Sequence, residues 1–408
     1  MLRIVIASDK FKGSLNSFEV CEAIARGLKA ACAEREANSG ADREANSHVE
    51  GEADSDGEKK ASSGGFDIVQ LPLADGGDGL LDILSYYTGA GGRKAIVNGP
   101  LSERVEAGWL LSQDGHTAFI EMAEASGLRL LEPAKYDCEA SSTYGTGQLI
   151  MEAIHSGAAE IVIGIGGSAT NDGGAGMGAA LGYRFFDGDG NIFTPTGGSL
   201  TRIARIEPPG NREFANIRFR VACDVKNPLC GLSGATRVYA PQKGAGPAVV
   251  ERLEAGMLHY AELLKRDLGM DVGDRAGAGA AGGLGAGCMA FLDAVFEGGT
   301  ELVMGISKAA QLIQEADWVI TGEGKIDSQT LEGKLVAGIA AMGRQFGKPV
   351  LAVCGTLDLS VDEWKGMGIR SAFSIVNRPM SLEEAQRDAA ALLEETAYSI
   401  GKLLIPPV

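Results

Sequence analysis

Four short polar segments that are rich in glycine each follow an apolar run of the kind that forms a β-strand. In chain order they are D-K-F-K-G-S (Asp9–Ser14), A-D-G-G-D-G (Ala74–Gly79), T-G-E-G-K-I-D (Thr321–Asp327) and C-G-T-L-D (Cys354–Asp358). Ligands of an open α/β sheet bind outside the carboxyl ends of its strands, so we expect these segments to form one active-site rim. The rim offers carboxylates, lysines, hydroxyls and glycine N–H groups without a cluster of histidine or cysteine. This composition suits anions and a hard cation.

A longer glycine-rich segment, G-I-G-G-S-A-T-N-D-G-G-A-G (Gly164–Gly176), follows another predicted strand. Its successive N–H groups and its hydroxyls can surround a phosphate, and Asn171 and Asp172 can reach a metal or a sugar. A tight strand-to-helix turn that requires small residues is the structural alternative. We interpret the segment as a loop that binds phosphate or substrate.

Two further loops present charged or amide side chains near strand ends or between proline and glycine. A-C-D-V-K-N-P-L-C-G (Ala222–Gly231) contains Asp224 and Asn227, and A-P-Q-K-G-A (Ala240–Ala245) contains Lys243. A single lysine is most often a solvated surface residue. Among glycines and strand ends, however, such groups become partners for oxyanions.

This set of motifs favours phosphoryl transfer over nicotinamide chemistry. G-A-G-A-A-G (Gly277–Gly282) fits the dinucleotide pattern G-x-G-x-x-G, but the strand that should precede it is missing from the sequence pattern. The P-loop pattern G-x-x-x-x-G-K-[ST] does not occur, and none of the four histidines lies in these motifs. Proton transfer is therefore left to a carboxylate or a lysine. Phosphoryl transfer needs mainly positioned phosphates, Mg²⁺ and positive charge, and the motifs supply groups for each.

Composition indicates a soluble globular protein with more than one domain. Its 408 residues are too many for one ordinary core. A formal net charge of −17 argues against a nucleic-acid partner. The sequence has no apolar run long enough to span a membrane and no signal-peptide pattern, so we expect a cytoplasmic protein without a membrane partner. The seven scattered cysteines favour neither a disulfide framework nor a zinc site.

The elements that position these groups are predicted to form two lobes. Two strands near the N-terminus and three near the C-terminus would make one doubly wound parallel sheet of an α/β domain; they are predicted at 4–8, 67–72, 318–321, 350–354 and 372–376. The sequence between the two groups predicts shorter strands and a helix at 145–156, as in an inserted α/β domain. We expect residues 1–76 and 288–408 to form the first domain and 77–287 the second, with the active site in the cleft between them.

An acidic stretch follows the first helix, which is predicted to begin after an Asn16 cap that Glu19 completes. Residues 34–65 consist mostly of Glu, Asp, Ser, Gly and Lys, and they contain R-E-A-N-S twice. Such a composition cannot bury enough apolar surface to offset the entropy of ordering. We therefore predict a flexible insertion without a functional role.

Taken together, the ordered motifs resemble the bacterial type I glycerate kinase family. The similarity runs from S-D-K-F-K-G-S through P-L-A-D-G-G-D-G and G-I-G-G-S-A-T-N-D-G-G-A-G to T-G-E-G-K-I-D-S-Q-T and the C-terminus, over nearly the whole chain. The resemblance implies transfer of the γ-phosphoryl group of ATP to D-glycerate. It also implies a flavodoxin-like domain that is split by a second α/β domain. The acidic insertion departs from the family pattern, but it lies away from the motifs.

We infer the roles of individual residues from physical argument, because the resemblance transfers none. Four charged residues are expected to be catalytic, with the first accepting the proton of the glycerate hydroxyl: Asp75, Asp172, Asp327 and Lys12. Asp224 and Glu323 are expected to bind Mg²⁺. Contacts with substrate or ATP are expected from Lys10, Ser14, Gly76, Gly77, Gly166, Gly167, Ser168, Thr170, Asn171, Asn227, Lys243, Gly282, Gly283 and Lys325.

Two other functions are kept as alternatives. An NAD-dependent 2-hydroxy-acid oxidoreductase would account for the glycines and a small acidic substrate. A non-catalytic protein that binds a small anion would need neither Lys325 nor the acidic rim. The sequence leaves undetermined whether the 2- or the 3-hydroxyl of glycerate is phosphorylated, and whether the protein is a monomer or a homodimer.

Overall fold

The computed structural model describes residues 1–46, 65–77, 79–328, 330–332 and 335–405. The strands are β1 (Leu2–Ser8), β2 (Phe66–Pro72), β3 (Gly91–Asn98), β4 (Arg104–Leu111), β5 (Thr117–Glu121), β6 (Glu160–Gly164), β7 (Arg184–Phe186), β8 (Ile192–Phe193), β9 (Arg205–Glu207), β10 (Arg218–Ala222), β11 (Val295–Glu297), β12 (Trp318–Ile326), β13 (Val350–Leu357) and β14 (Ile369–Ser374). The helices are α1 (Ser17–Asn46), α2 (Leu80–Thr88), α3 (Ala123–Ser126), α4 (Tyr144–His155), α5 (Ala175–Ala180), α6 (Ala235–Tyr239), α7 (Pro247–Leu268), α8 (Ala280–Leu292), α9 (Gly299–Ile306), α10 (Ala309–Glu315), α11 (Leu335–Gln345), α12 (Val361–Met367), α13 (Leu382–Arg387) and α14 (Ala389–Leu404).

The chain folds into two compact units. The first unit consists of Met1–Ala74 with Ser307–Val408, and the second of Asp75–Ile306. The second boundary falls later than the Cys288 expected from the sequence. Cys288 packs into the core of the second unit, and the following strand, β11, pairs with β10 of that unit. Both features keep the chain in the second unit as far as Ile306.

The sheet of the first unit confirms the predicted doubly wound α/β architecture. Its five strands lie in the order β14-β13-β12-β1-β2, and every pair is parallel. Because helices cover both faces of such a sheet, its central strands are apolar runs, and residues 4–8 of β1 are all buried. The strand order is the flavodoxin-like one. Along the chain, β2 is added on one side of β1, and β12, β13 and β14 are then added on the other side, so the order of addition reverses between β1 and β12.

Helix α1 begins as the sequence predicts but ends later. Asn16 and Glu19 form reciprocal side-chain-to-backbone hydrogen bonds of 2.8 and 2.9 Å. The helix then continues to Asn46, so residues 34–46 of the expected insertion extend the first helix. Alanine, glutamate and arginine are good helix formers, and an established helix propagates through polar sequence. Residues 47–64, the rest of the predicted insertion, lie outside the described residues.

Two strands of the same sheet run further than the sequence predicts. β12 continues to Ile326 and β13 to Leu357, with Lys325 in register with Thr356. Most of the T-G-E-G-K-I-D motif is therefore a strand extension, where a loop was expected. Among the described residues, no helix combines the length and apolar character that crossing a bilayer requires.

The second unit contains a mixed sheet in the order β11-β10-β6-β5-β4-β3 and a small sheet in the order β8-β7-β9. Strands β5, β6, β10 and β11 are parallel, whereas β3, β4 and β5 pair antiparallel. The carboxyl ends of the parallel strands therefore meet at one edge of the sheet. Loops that follow β5, β6, β10 and β11 are brought together at this edge.

The first unit tolerates no side chain at Gly27, where α1 crosses α14. A Cβ at this position would lie 2.2 Å from the Glu394 carbonyl oxygen and 2.7 Å from the Tyr398 nitrogen. We predict that Gly27→Ala lowers the free energy of unfolding by about 1–3 kcal/mol, because the helices must separate. Circular dichroism during heating measures the change in the unfolding midpoint. Gly366→Ala in α12 is the control, because a Cβ there meets no atom within 4 Å; equal midpoints for the two variants would contradict the prediction.

Candidate functional site

The loop after β1 lies directly on β12, at the point where the strand order of the first sheet reverses. The Asp9 N–H and the Ser8 hydroxyl both donate to the Gly322 carbonyl, at 3.0 and 2.9 Å. A Cβ at Gly324 would lie 3.1 Å from the backbone nitrogen of Lys12. The first and third predicted motifs therefore share one edge. A crevice at such a reversal is where doubly wound sheets bind ligands.

The lysines of the β1 loop are placed differently from the serine. Lys10 Nζ lies 3.6 Å from the Asp9 carboxylate, and the Lys12 side chain is exposed. The Ser14 hydroxyl donates to the Gln386 carbonyl at 2.8 Å. Its proton is thereby used to hold the loop against α13. The exposed Lys12 side chain is therefore accessible to an anion, whereas the Ser14 hydroxyl is already engaged within the protein.

The extended end of β12 carries a small charged network. Lys325 Nζ lies 3.1 Å from Asp327 and 3.3 Å from Asp358, and the hydrogen bond that Lys325 donates to Asp327 is the main reason that the pKa of Lys325 is raised. The Thr330 hydroxyl donates to Glu323 Oε1 at 2.5 Å and accepts the Asp327 N–H at 3.1 Å. Glu323, expected to bind a metal, is thus oriented by a threonine.

The start of the second unit is packed over the carboxyl edge of its own sheet. A Cβ at Gly76, where φ is +84°, would lie 3.0 Å from the Gly299 Cα and 3.7 Å from the Ala222 carbonyl oxygen. A Cβ at Gly166 would lie 2.6 Å from the Gly77 Cα. These approaches require glycine. They place Asp75 beside the ends of β6 and β10.

Asp75 and Asp224 form a pair of neighbouring carboxylates at this edge. Asp224 Oδ2 accepts the Thr300 N–H at 3.2 Å and the Thr300 hydroxyl at 3.1 Å. Burial raises the pKa of Asp224, and the nearby charge of Asp75 raises that pKa further. From the sequence we expected Asp75 to lie with Asp327 in the first domain, but the compact units separate them and place Asp75 with Asp224.

Asp172 supports the Gly164–Gly176 loop from beneath. It is completely buried and accepts hydrogen bonds from the Thr143 N–H and hydroxyl at 2.7 and 2.8 Å, and from the N–H groups of Gly174 and Gly176 at 3.1 Å. Burial raises the pKa of its carboxyl. A carboxylate with these partners fixes a turn, and the structure gives no support to its predicted catalytic role.

Lys243 supports the same loop from within the protein. Its side chain is buried, and Nζ donates to Ser168 Oγ and to the Thr170 carbonyl, each at 2.7 Å. Burial lowers the pKa of the ammonium to about 8. The Asn171 side chain, also buried, donates to Thr236 Oγ1 at 3.1 Å. The loop is therefore held by internal polar contacts on several sides.

The end of the G-A-G-A-A-G motif, with the glycine that follows it, contacts the Gly164–Gly176 loop. A Cβ at Gly282 would lie 1.9 Å from the Thr170 carbonyl oxygen, and one at Gly283 would lie 2.8 Å from the Gly173 Cα. The Gly173 N–H also donates to the Gly282 carbonyl at 3.1 Å. Both glycines, which we expected to bind substrate, are explained by this backbone packing.

Asn227, another expected ligand contact, holds its own loop. Its side-chain amide donates to the Ser233 carbonyl at 2.8 Å and accepts the Tyr239 hydroxyl proton at 2.8 Å. Thr300 is the site residue that sequence reasoning missed. The signal was the E-G-G-T sequence at the end of β11, because a hydroxyl after two glycines at a strand end resembles the other rim motifs.

Comparison with known proteins gives one consistent family. The model of the glycerate kinase family matches residues 4–41 and 46–405. Similar curated proteins include glycerate 2-kinase of Escherichia coli K12, with 41% identity over 95% of this chain and 94% of that protein. Another is glycerate kinase of Halalkalibacterium halodurans, with 41% identity over 98% of each. A crystal structure from Salmonella typhimurium LT2, of a protein assigned as glycerate kinase 2, has 40% identity and a TM-score of 0.76 over 99% of this chain and 98% of that one.

The contacts of Asp172 give a prediction that separates catalysis from support of the loop. Asp172→Asn places an amide N–H₂ or a weaker acceptor against donors that are buried. We predict that the free energy of unfolding falls by at least ~1–3 kcal/mol, the cost of leaving such a donor unsatisfied. Urea unfolding followed by fluorescence measures it. The control is Asp189→Asn in an exposed turn; unchanged stability in Asp172→Asn together with lost turnover would instead support the catalytic role.

Proposed function

The chain belongs to the glycerate kinase family, and from this premise we propose that it transfers the γ-phosphoryl group of ATP to the 2-hydroxyl of D-glycerate. The observation that carries the proposal is the Asp75–Asp224 pair at the carboxyl edge of the second sheet. The name of the E. coli relative, glycerate 2-kinase, supports the 2-hydroxyl. The family match supports neither an oxidoreductase nor a non-catalytic anion-binding protein.

The paired carboxylates fit the needs of phosphoryl transfer. The attacking hydroxyl needs an acceptor for its proton, and the phosphates need positioning and charge neutralisation. We assign the first task to Asp75. Asp75 sits in a tight turn, where it accepts the Gly77 N–H at 3.2 Å, so its carboxylate is held in place. The two bonds from Thr300 fix Asp224 in the same way.

Mg²⁺ fits the oxygen donors present at this edge. Proteins usually bind Mg²⁺ through one or two carboxylates, with substrate phosphates and waters completing the shell. In the described residues no group of three or more His, Cys, Asp or Glu side chains is placed to hold a metal. We assign the cation to Asp224, whose pKa is raised by burial and by the nearby charge of Asp75, and leave Asp75 to accept the proton. When bound, Mg²⁺ neutralises the charge on phosphate oxygens.

Lys12 supplies positive charge at the edge of the first sheet. It follows the end of β1 and is exposed, whereas Lys10 lies near Asp9, and Lys325, within β12, is paired with Asp327 and Asp358. In a chain of net charge −17, local ammonium groups are needed to attract an anionic substrate. We assign Lys12, which is exposed, to anionic oxygens of glycerate or ATP.

Incubation of the purified protein with D-glycerate and ATP tests the proposed reaction. We expect ADP to form only when Mg²⁺ is present, and ³¹P and ¹³C NMR to identify 2-phosphoglycerate. Formation of NADH from NAD⁺ and D-glycerate, without ADP, would instead establish the oxidoreductase. Binding of D-glycerate without either product would establish the non-catalytic alternative. A product with phosphate on carbon 3 would correct the regiochemistry alone.

Replacement of the proposed proton acceptor tests its role. Asp75→Asn keeps the shape of the side chain and its ability to accept the Gly77 N–H, but removes the charge. We predict a normal fold and a loss of about 10²–10⁴-fold in kcat, the range for general-base catalysis. Steady-state kinetics with saturating glycerate and ATP measure it. Asp82→Asn on the exposed side of α2 is the matched control; near-normal kcat in Asp75→Asn would remove Asp75 from the mechanism.

A further inference from the structure

The hydrogen bond between Lys243 and Ser168 has a direction that its chemistry fixes. A lysine ammonium has three donors and no acceptor, so Ser168 Oγ must accept the 2.7 Å bond from Lys243 Nζ. In the described residues, this is the one hydrogen bond of the Ser168 hydroxyl. The hydroxyl proton must therefore point away from Lys243.

Ser168 is less buried than Lys243, so a proton that points away from Lys243 points toward the more exposed side of the loop. Lys243 lies on the buried side and is 2% exposed, whereas Ser168 is 9% exposed. Ser168 follows Gly166 by two residues, and Gly166 packs against Gly77 in the Asp75 loop. The loop that carries Ser168 thus packs against the loop that carries Asp75, and the hydroxyl adds a donor to an edge whose carboxylates are acceptors.

We propose that Ser168 is a donor to an oxyanion of the substrate, and that Lys243 is a positioning residue that acts through Ser168 without touching the substrate. The oxyanion is the carboxylate of the hydroxy acid or a phosphate oxygen of the nucleotide. The proposal rests on the proposed kinase function for its substrates. It changes the expectation from sequence for Lys243, which we had assigned to direct contact.

The buried ammonium also accounts for the strength of such a donor. A hydroxyl that accepts a bond from a cation becomes a better donor, because chains of hydrogen bonds polarise one another in a low-dielectric interior. The second bond of Lys243, to the Thr170 carbonyl at 2.7 Å, holds the loop on the far side of Ser168. Lys243 thus bonds to both neighbours of Ala169, and these two bonds restrict the orientation of the Ser168 hydroxyl.

A double-mutant cycle tests both parts of the proposal. The variants are Ser168→Ala, Lys243→Met and the double variant, with Ser233→Ala in an exposed loop as the control. We expect Ser168→Ala to raise KM for either D-glycerate or ATP by at least about tenfold, the range for a hydrogen bond to a charged group, and to change the other KM less than about twofold. The substrate affected identifies the oxyanion as carboxylate or phosphate. Lys243→Met should raise the same KM, and the double variant should raise it no further than Ser168→Ala.

Calorimetric titration of D-glycerate, and of ATP, into each variant makes the test independent of turnover. Dissociation constants that follow the same pattern support the proposal even if the wild-type protein forms no ADP, a result that would contradict the kinase function alone. Unchanged constants in Ser168→Ala overturn the donor role. Independent, multiplicative effects of the two substitutions overturn the action of Lys243 through Ser168. If Lys243→Met does not fold, Ser168→Ala still decides the donor role, and Lys243→Gln completes the cycle.

Discussion

The edge of the second sheet depends on close approach between backbone segments at glycine. At Gly76, Gly166 and Gly282, a Cβ would lie 3.0, 2.6 and 1.9 Å from main-chain atoms of another segment. Only a residue without a side chain permits such contacts. The loop that carries Asp75 therefore packs directly against the loop after β6, and that loop packs against the start of α8. This packing sets the positions of the functional side chains, and it explains why glycines are concentrated in motifs of the sequence.

Two buried charged residues hold the loop after β6 in place. Asp172 accepts the N–H groups of Gly174 and Gly176, and Lys243 donates to Ser168 and Thr170. Burial alone disfavours both ions, which is why the pKa of Asp172 is raised and that of Lys243 is lowered to about 8. Their hydrogen bonds offset part of that cost. In the sequence, such residues resemble catalytic ones, because charged residues among glycines are typical of both kinds of position.

The sequence predicts the first sheet well, because each of its strands is an apolar run bounded by turn residues, and the Asn16–Glu19 cap is local. The end of α1 was predicted less well, since polar composition does not by itself terminate a helix. The association of Asp75 with Asp224 was not predictable from spacing. The unit boundary follows Ala74, inside the A-D-G-G-D-G motif, and the partners of Asp75 are set by tertiary packing of Gly76 and Gly77. Thr300 follows two glycines at the end of β11, so its position was open to prediction, but its contact with Asp224 is set by tertiary packing.

The carboxyl edges of the first and second sheets differ in how far their charged side chains compensate one another, and this difference indicates different roles. At the first edge, the Lys325 ammonium lies between the carboxylates of Asp327 and Asp358, so opposite charges already compensate one another. At the second edge, Asp75 and Asp224 are like charges, and the pKa of Asp224 is raised. Burial is the main reason for this raised pKa, the charge of Asp75 adds to it, and a proton or cation that arrives relieves the repulsion between the two like charges. An edge that holds this repulsion in the folded state favours the uptake of a proton from a substrate hydroxyl, or of a divalent cation with its phosphates. The same arrangement repels a free anion, so an anionic substrate needs a neutral or positive donor at this edge, which is the role that we propose for the Ser168 hydroxyl with its bond from the buried Lys243 ammonium.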